Sequence, residues 1–519
     1  MNTSSNFAQV TTNSVELTYQ SDPLNLYQHI THNQPHTMLL ESAEIESKDH
    51  LKSIILTHAA LMIRCDSYNI TFTSMTDNGA SLIPAIAAFF SHCQQTRQHN
   101  TLTVTLNKST QCQDEDARLK STSPLDGLRM LVKQIHKGDT QLAFEDLFLG
   151  GVLAYDLIDT VEPLPEVPNG DNECPDYLFY LAETLILVDH KQSQAEVVTH
   201  QFSCAPAISA ALKQRISDIK QQCQQLDDIS PLVAVNATTQ VNISDEQYIA
   251  TVMDLKEHIV AGDIFQVVPS RSFSLPCPNT LGAYRALRLT NPSPYMFYFQ
   301  GPDFTLFGAS PESALKYEAK SNQVEVYPIA GTRQRGKDQH GNIDPDLDSR
   351  IELELRLDKK ELSEHLMLVD LTRNDIARIS QSGTRKVAEL LKVDRYSHVM
   401  HLVSRVTGQL REDLDALHAY QACMNMGTLV GAPKVRAAQL VRAAEKTRRG
   451  SYGGAVGYIN GLGDMDTCIV IRSAFVKNSV AHIQAGAGVV FDSDPQAEAN
   501  ETRQKAQAVI SAIKMGGGQ

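Results

Sequence analysis

The chain has no tryptophan, no C-x-x-C pair and no block of basic residues. No apolar run approaches the roughly 20 residues that a membrane span needs. Each absence removes a class of function. Nine cysteines, odd in number and scattered, offer neither a zinc site nor a disulfide framework and point to reduced thiols in a cytoplasm. The net charge is -14, with the acid spread along the chain, so no electrostatic footprint for nucleic acid is present. The start, M-N-T-S-S-N-F-A-Q-V, lacks the basic and apolar regions of a signal peptide. No internal repeat is visible, which excludes solenoids and propellers.

What remains is ordinary globular usage, 42% hydrophobic and 20% charged over 519 residues, enough for two domains. In the first half, 38–42 reads as a strand, 81–90 as a helix capped by Ser81, and 178–189 as a strand. A helix over 207–226 and a polar connection over 227–242 follow. The second half opens on a capping box, Ser244 with Gln247, and that helix ends at Gly262. Strands are expected at 263–269, 295–299, 305–308, 324–329, 453–459, 467–476 and 480–487. Long helices are expected at 347–380 and 496–515. Helices interspersed among antiparallel-type strands give an α+β fold. The expected organisation is an N-terminal segment, 1–243, intertwined with a region over 244–519, two lobes in all.

Two Glu-x-x-Glu pairs stand out: Glu361 with Glu364, and Glu498 with Glu501. Spacing of three puts both carboxylates of a pair on one helix face. One such pair alone is equally a solvated face. Four carboxylates together repel unless a cation lies between them, and an all-oxygen set suits Mg²⁺. Glu312 follows an apolar strand, where partial desolvation would raise its pKa and suit a general acid; a water-facing turn is the alternative. Pro328–Arg333 ends a strand on a glycine turn, where the Gly331 and Thr332 amides can approach a ligand. His398 and His401 fall on opposite faces of a strand, and a histidine near its usual pKa can shuttle protons. Gly427–Lys434 resembles a phosphate loop but has Pro433 and Val435 where glycine and Ser/Thr belong. Gly486-Ala487-Gly488 lacks the third glycine and the helix of a dinucleotide fingerprint. Arg472, on the 467–476 strand, and Lys505, one turn after Glu501, are two cations near this acidic cluster and suggest an anionic substrate.

Together, S-P-E at 310–312, P-I-A-G-T at 328–332, the K-E-x-x-E-H block at 360–375, H-V-x-H-L-V-S at 398–404, G-x-L-x-G-A-P-K at 427–434, Y-G-G-A-V-G-Y at 452–458 and the G-A-G block through Lys505 resemble the chorismate-utilising enzymes. The resemblance is closest to anthranilate synthase component I and covers most of 244–510; L-L-E-S at 39–42 and G-G-x-x-A-Y-D at 150–156 extend it more loosely. It implies antiparallel sheets packed as a sandwich with helices outside. Two positions discriminate within the family. Relatives that add water to chorismate carry a lysine base where this chain has Gln266, and a neutral amide suits ammonia instead. Aminodeoxychorismate synthases carry a lysine nucleophile where Ala330 stands.

The resemblance therefore implies a lyase that turns chorismate and ammonia into anthranilate and pyruvate, the first step of tryptophan biosynthesis. It implies Glu364 and Glu501 as Mg²⁺ ligands, supported by Glu361 and Glu498. Glu312 would be the acid, His401 would assist pyruvate loss, and Thr428 would hydrogen-bond the reacting ring or its leaving group. Tyr452, Arg472, Lys505, Gly331, Thr332 and the amides of Gly486, Ala487 and Gly488 would anchor chorismate. No cysteine here has a glutaminase setting, so a partner glutaminase subunit would supply ammonia, in a hetero-oligomer with two of each subunit. Feedback inhibition by tryptophan would use Glu41, Ser42, Pro294, Tyr295 and Met296. The absence of tryptophan residues fits an enzyme that must be translated when tryptophan is scarce.

Overall fold

A computed structural model describes residues 9–42, 51–108, 114–136, 142–224, 226, 231–396 and 399–519. Two long strands, Lys52–Asp66 and Tyr177–Asp189, are apolar on both faces and pair along most of their length. Burial on both faces requires covering layers, and these two strands carry them. One sheet runs from Gln194–Gln201 through this pair to Thr37–Glu41, Tyr295–Gln300, Thr305–Ser310, Ser473–Lys477, Val480–Gly486 and Ser270–Pro276. The other runs from Asn69–Ser74 through the pair to Phe148–Leu153, Ala455–Asn460, Met465–Ile469, Ser313–Glu318, Gln323–Val326 and Val399–Gln409. All these ladders are antiparallel. Segments 1–243 and 244–519 share both sheets: Glu41 pairs with Met296, and Leu153 with Ala455.

Strand alternation sorts the side chains into layers. Phe297 and Phe299 pack with Phe148, Tyr180, Val456 and Phe475, drawn from both sheets. Met296 and Tyr298, on the opposite face, join a core shared with helices Pro23–Thr31, Thr280–Thr290 and Pro495–Gly516. Ala455 and Ile459 likewise face helices Asp126–Gln134, Lys359–Ile379 and Ala416–Cys423. The result is a sandwich with helices outside. Each fully buried phenylalanine contributes roughly 1.5–3 kcal/mol.

The chain crosses from one sheet to the other at two adjacent corners, between Ser310 and Ser313 and between Ile469 and Ser473. The corners are stitched together: Ile469 N donates to Glu312 O at 3.0 Å, and Ala309 N to Arg472 O at 3.1 Å. The expected strand over 467–476 is thus broken, with Arg472 in the left-handed region at φ 49°.

Other boundaries shift for local reasons. The expected helix over 347–380 is two, Pro345–Leu357 and Lys359–Ile379, because Asp358 is extended and caps the second by accepting from Lys360 N and Glu361 N. Ser81 is a C-cap and not an N-cap: it closes the short turn Asp77–Ala80, whose N-cap is Thr76, and Ile83–Phe89 begins without a side-chain cap. Of 263–269, only Gln266–Val267 forms a strand, against Gly431–Ala432. The Ser244–Gln247 capping box forms as expected, at 3.3 and 2.8 Å.

Candidate active site

The corner after Thr305–Ser310 holds Glu312, which is 7% exposed. Burial pushes its carboxyl up to about 8, against the pull of the Thr428 hydrogen bond and of Lys505 and Arg472. The Thr428 hydroxyl donates to Glu312 Oε1 at 2.9 Å. Thr428 thus orients the Glu312 carboxyl. A carboxyl protonated at neutral pH can give its proton to a leaving oxygen.

Gln266 lies on the two-residue strand beside Gly431–Ala432 and is buried. Its Nε2 donates to Glu364 Oε1 at 2.6 Å, while its Oε1 has no partner. Gly488 closes over this pair. A Cβ there would stand 2.9 Å from Gln266 Nε2 and 3.2 Å from Glu364 Oε1, so a side chain would push these two groups from their places.

Glu361 and Glu364 share one face of Lys359–Ile379, and Glu498 and Glu501 share one face of Pro495–Gly516. Burial, then the charges of Glu361 and Glu501, push Glu364 up to about 7, against Lys505 and Lys360. Burial and Glu501 also raise Glu498, while Ser493 opposes. Burial works against Glu501 too, but Lys505 and Arg472 hold it below its ordinary value. Lys505 Nζ pairs with Glu501 at 2.6 Å and donates to Gly486 O at 3.0 Å. Glu361 pairs with Arg333 at 2.9 Å. Carboxylates from two helices distant in sequence thus come within electrostatic reach of one another. Their all-oxygen chemistry and the mutual charge that raises Glu364 and Glu498 fit a hard divalent cation. As they stand, no three His, Cys, Asp or Glu side chains among the described residues gather closely enough to hold a metal.

His401 lies on Val399–Gln409, opposite Thr332 across a bulge where Gly331 has φ 82°. Thr332 Oγ1 and His401 Nδ1 are 2.8 Å apart. Burial, then Arg472, pull the imidazole down to about 4, against a hydrogen bond to the Gly331 backbone. Burial thus favours the uncharged imidazole over one that titrates near neutrality. His398 lies outside the described residues. The link from Thr332 to His401 and the hold of Arg333 on Glu361 and Asp358 join separate segments and leave no local signal in the sequence.

At the far side, a Cβ on Gly486 would stand 3.1 Å from the Tyr452 hydroxyl. The Ala487 amide is not a free donor, since it binds Pro269 O at 3.2 Å. The Arg472 side chain enters no ion pair among the described residues; burial lowers its pKa, with Tyr452, Glu501 and Glu312 opposing. Lys434, the would-be phosphate lysine, is instead tied to Asp375 and Cys423 O at 2.5 and 2.6 Å.

The sequence profile of the chorismate binding enzyme family matches residues 87–511. Relatives include anthranilate synthase component 1 from Vibrio cholerae, 58% identical over 96% of this chain and 95% of that protein. The same component from Escherichia coli is 52% identical over 95% of both. The chain belongs to the anthranilate synthase component 1 family of chorismate-binding enzymes. Among solved structures, anthranilate synthase component I from Streptococcus pneumoniae aligns with TM-score 0.68 and 28% identity, over 90% of this chain and 94% of that one. The menaquinone-specific isochorismate synthase of Escherichia coli shares the fold at TM-score 0.64 and 18% identity, over 98% and 95%. Members of this family are enzymes, and the α+β sandwich is theirs. No helix among the described residues is long and apolar enough to cross a membrane.

A second cluster lies where Thr37–Glu41 pairs with Tyr295–Gln300. Glu41, Ser42, Tyr295 and Met296 line a cavity of about 860 Å³; Pro294 does not. Glu41 is buried, accepts from Tyr284 at 2.6 Å and pairs with Arg288 at 3.1 Å. The strand carrying Met296 pairs next with Thr305–Ser310, the strand that leads to Glu312.

Proposed function

We propose that this chain joins chorismate and ammonia to give anthranilate and pyruvate, committing chorismate to tryptophan. The observation that carries this reading is Gln266. A buried amide oxygen without a partner costs about 1–3 kcal/mol, and an N–H of ammonia would satisfy it. A neutral amide cannot take a proton from water, so hydration of chorismate is disfavoured.

In the proposed sequence, ammonia held at Gln266 attacks C2 of the ring. The C4 hydroxyl leaves as water with the proton of Glu312, whose acid form Thr428 keeps oriented. The added nitrogen gives up one proton, which restores the acid form of Glu312. The neutral imidazole of His401 then receives the C2 proton as the bond from C3 to the enolpyruvyl oxygen breaks; the departing enolate takes that proton on its methylene carbon to become pyruvate, and the ring becomes aromatic. Arg472, with Tyr452 and Lys505, anchors the carboxylates of chorismate. Glu364 and Glu501 would hold Mg²⁺, with Glu361 and Glu498 in support. The ion would supply a Lewis acid and template for the ring carboxylate.

Ammonia comes from a separate glutaminase subunit, in an assembly with two copies of each chain. Tryptophan inhibits from the cavity at Glu41, Ser42 and Met296, and reaches the catalytic corner through the strand pair that ends at Glu312. The test is turnover by the purified chain. With chorismate, ammonium and Mg²⁺ it should form a fluorescent product with the spectrum of anthranilate. With glutamine in place of ammonium it should form none. Glutamine-dependent turnover by the isolated chain would refute the two-subunit reading.

A further inference from the structure

We propose that Arg449 and Glu445 form a buried clamp that positions the amination site, which makes Arg449 a positioning residue of the reaction. The inference rests on the function proposed above. Arg449 is 2% exposed. Its Nε and Nη2 donate to the two oxygens of Glu445 at 2.8 and 2.6 Å. The remaining donors reach two carbonyls in different segments, Leu429 O at 2.8 Å and Val268 O at 2.7 Å. Leu429 follows Thr428, which holds Glu312. Val268 lies two residues beyond Gln266.

Glu445 extends the clamp. Its Oε1 accepts from Ser270 N at 2.7 Å and Ser270 Oγ at 2.6 Å. Ser270 pairs in the sheet with Gly486, and Gln484 donates to its hydroxyl at 2.8 Å. The guanidinium also lies 4.6 Å from the Tyr155 ring and 5.5 Å from the Tyr452 ring. One ion pair thus fixes the segments bearing Gln266, Thr428, Gly486 and Tyr452 without touching the reacting groups. The segments of Gln266 and Thr428 also meet through a short ladder, Gln266–Val267 against Gly431–Ala432, flanked by hydrogen bonds from Phe265 N to Ala432 O and from Val268 N to Val430 O. A planar fork with five donors can serve a carboxylate and two carbonyls at once, and an ammonium cannot.

The test uses Arg449→Lys, which keeps the charge opposite Glu445 but cannot span both carbonyls. Ammonium-dependent turnover is measured well below the melting temperature and normalised to the folded fraction by circular dichroism. The expected result is a folded protein with kcat/KM at least tenfold lower and with KM for chorismate raised. A merely structural ion pair would leave normalised turnover unchanged, so a folded variant within twofold of the native chain overturns the proposal. If Arg449→Lys does not fold, Ser270→Ala decides. It removes one hydroxyl from the clamp and leaves the ion pair whole, and kcat/KM should fall about threefold; an unchanged value overturns the proposal. Failure of the native chain to make anthranilate would instead refute the functional reading.

Discussion

Glu312→Gln should make the protein more stable at high pH while abolishing its activity. Burial raises the native carboxyl from its ordinary 4.5 to about 8, so the folded state holds this proton more tightly than the unfolded chain does. Below pH 4.5 the group is neutral in both states and its contribution is fully present. As pH rises through about 8 the contribution is lost, because the native state must then ionise a buried carboxyl. At about 1.36 kcal/mol per pH unit, the interval sets a ceiling of about 5 kcal/mol. Glutamine does not titrate, and its Oε1 can still accept from Thr428. Glu364 titrates alike in both proteins and cancels to first order. Urea unfolding at pH 5 and pH 9 should therefore show the variant gaining about 2–5 kcal/mol on the native chain between the two values. Turnover should fall at least about a hundredfold, since an amide cannot donate the proton. A stability difference that is the same at both pH values would refute the buried, protonated Glu312 on which the acid role rests.

Glu364→Gln or Glu501→Gln should cut turnover at least about a hundredfold with the fold intact, because each removes one anionic oxygen donor; wild-type rates at saturating Mg²⁺ would exclude the ligand role. His401→Met should accumulate the aminated, still non-aromatic intermediate, detected by chromatography, with little anthranilate; absence of both compounds would place His401 earlier in the reaction. Ser42→Phe or Met296→Thr should relieve inhibition by tryptophan and spare uninhibited turnover, and two fully sensitive variants would move the inhibitor site elsewhere. Since coupling is reciprocal, calorimetry should show chorismate weakening tryptophan binding by the same factor as the reverse.

Features set by local spacing were legible in the chain. The glutamate pairs, the apolar strand before Glu312 and the Ser244 capping box all depend on neighbours within a few residues. Arg472 was misplaced because nothing in the apolar run around it signals a left-handed residue at a sheet-to-sheet corner. The break at Asp358 did leave a signal: Asp358-Lys359-Lys360-Glu361 is an N-cap pattern inside a helical run. The pull on His401 comes from burial and from Arg472, distant in the chain, and neither is legible from its neighbours. The hold of Arg333 on Glu361, and of Arg449 on Val268 and Leu429, joins residues far apart in the chain, so spacing carries no trace of them.

Whether this site adds ammonia is decided by the fate of the label from ¹⁵N-ammonium. The purified chain, chorismate, Mg²⁺ and labelled ammonium are incubated, and the products are identified by mass spectrometry. Anthranilate should carry one ¹⁵N, with one pyruvate released for each chorismate consumed. Unlabelled isochorismate, or a labelled product that retains its enolpyruvyl group, would contradict the proposed reaction.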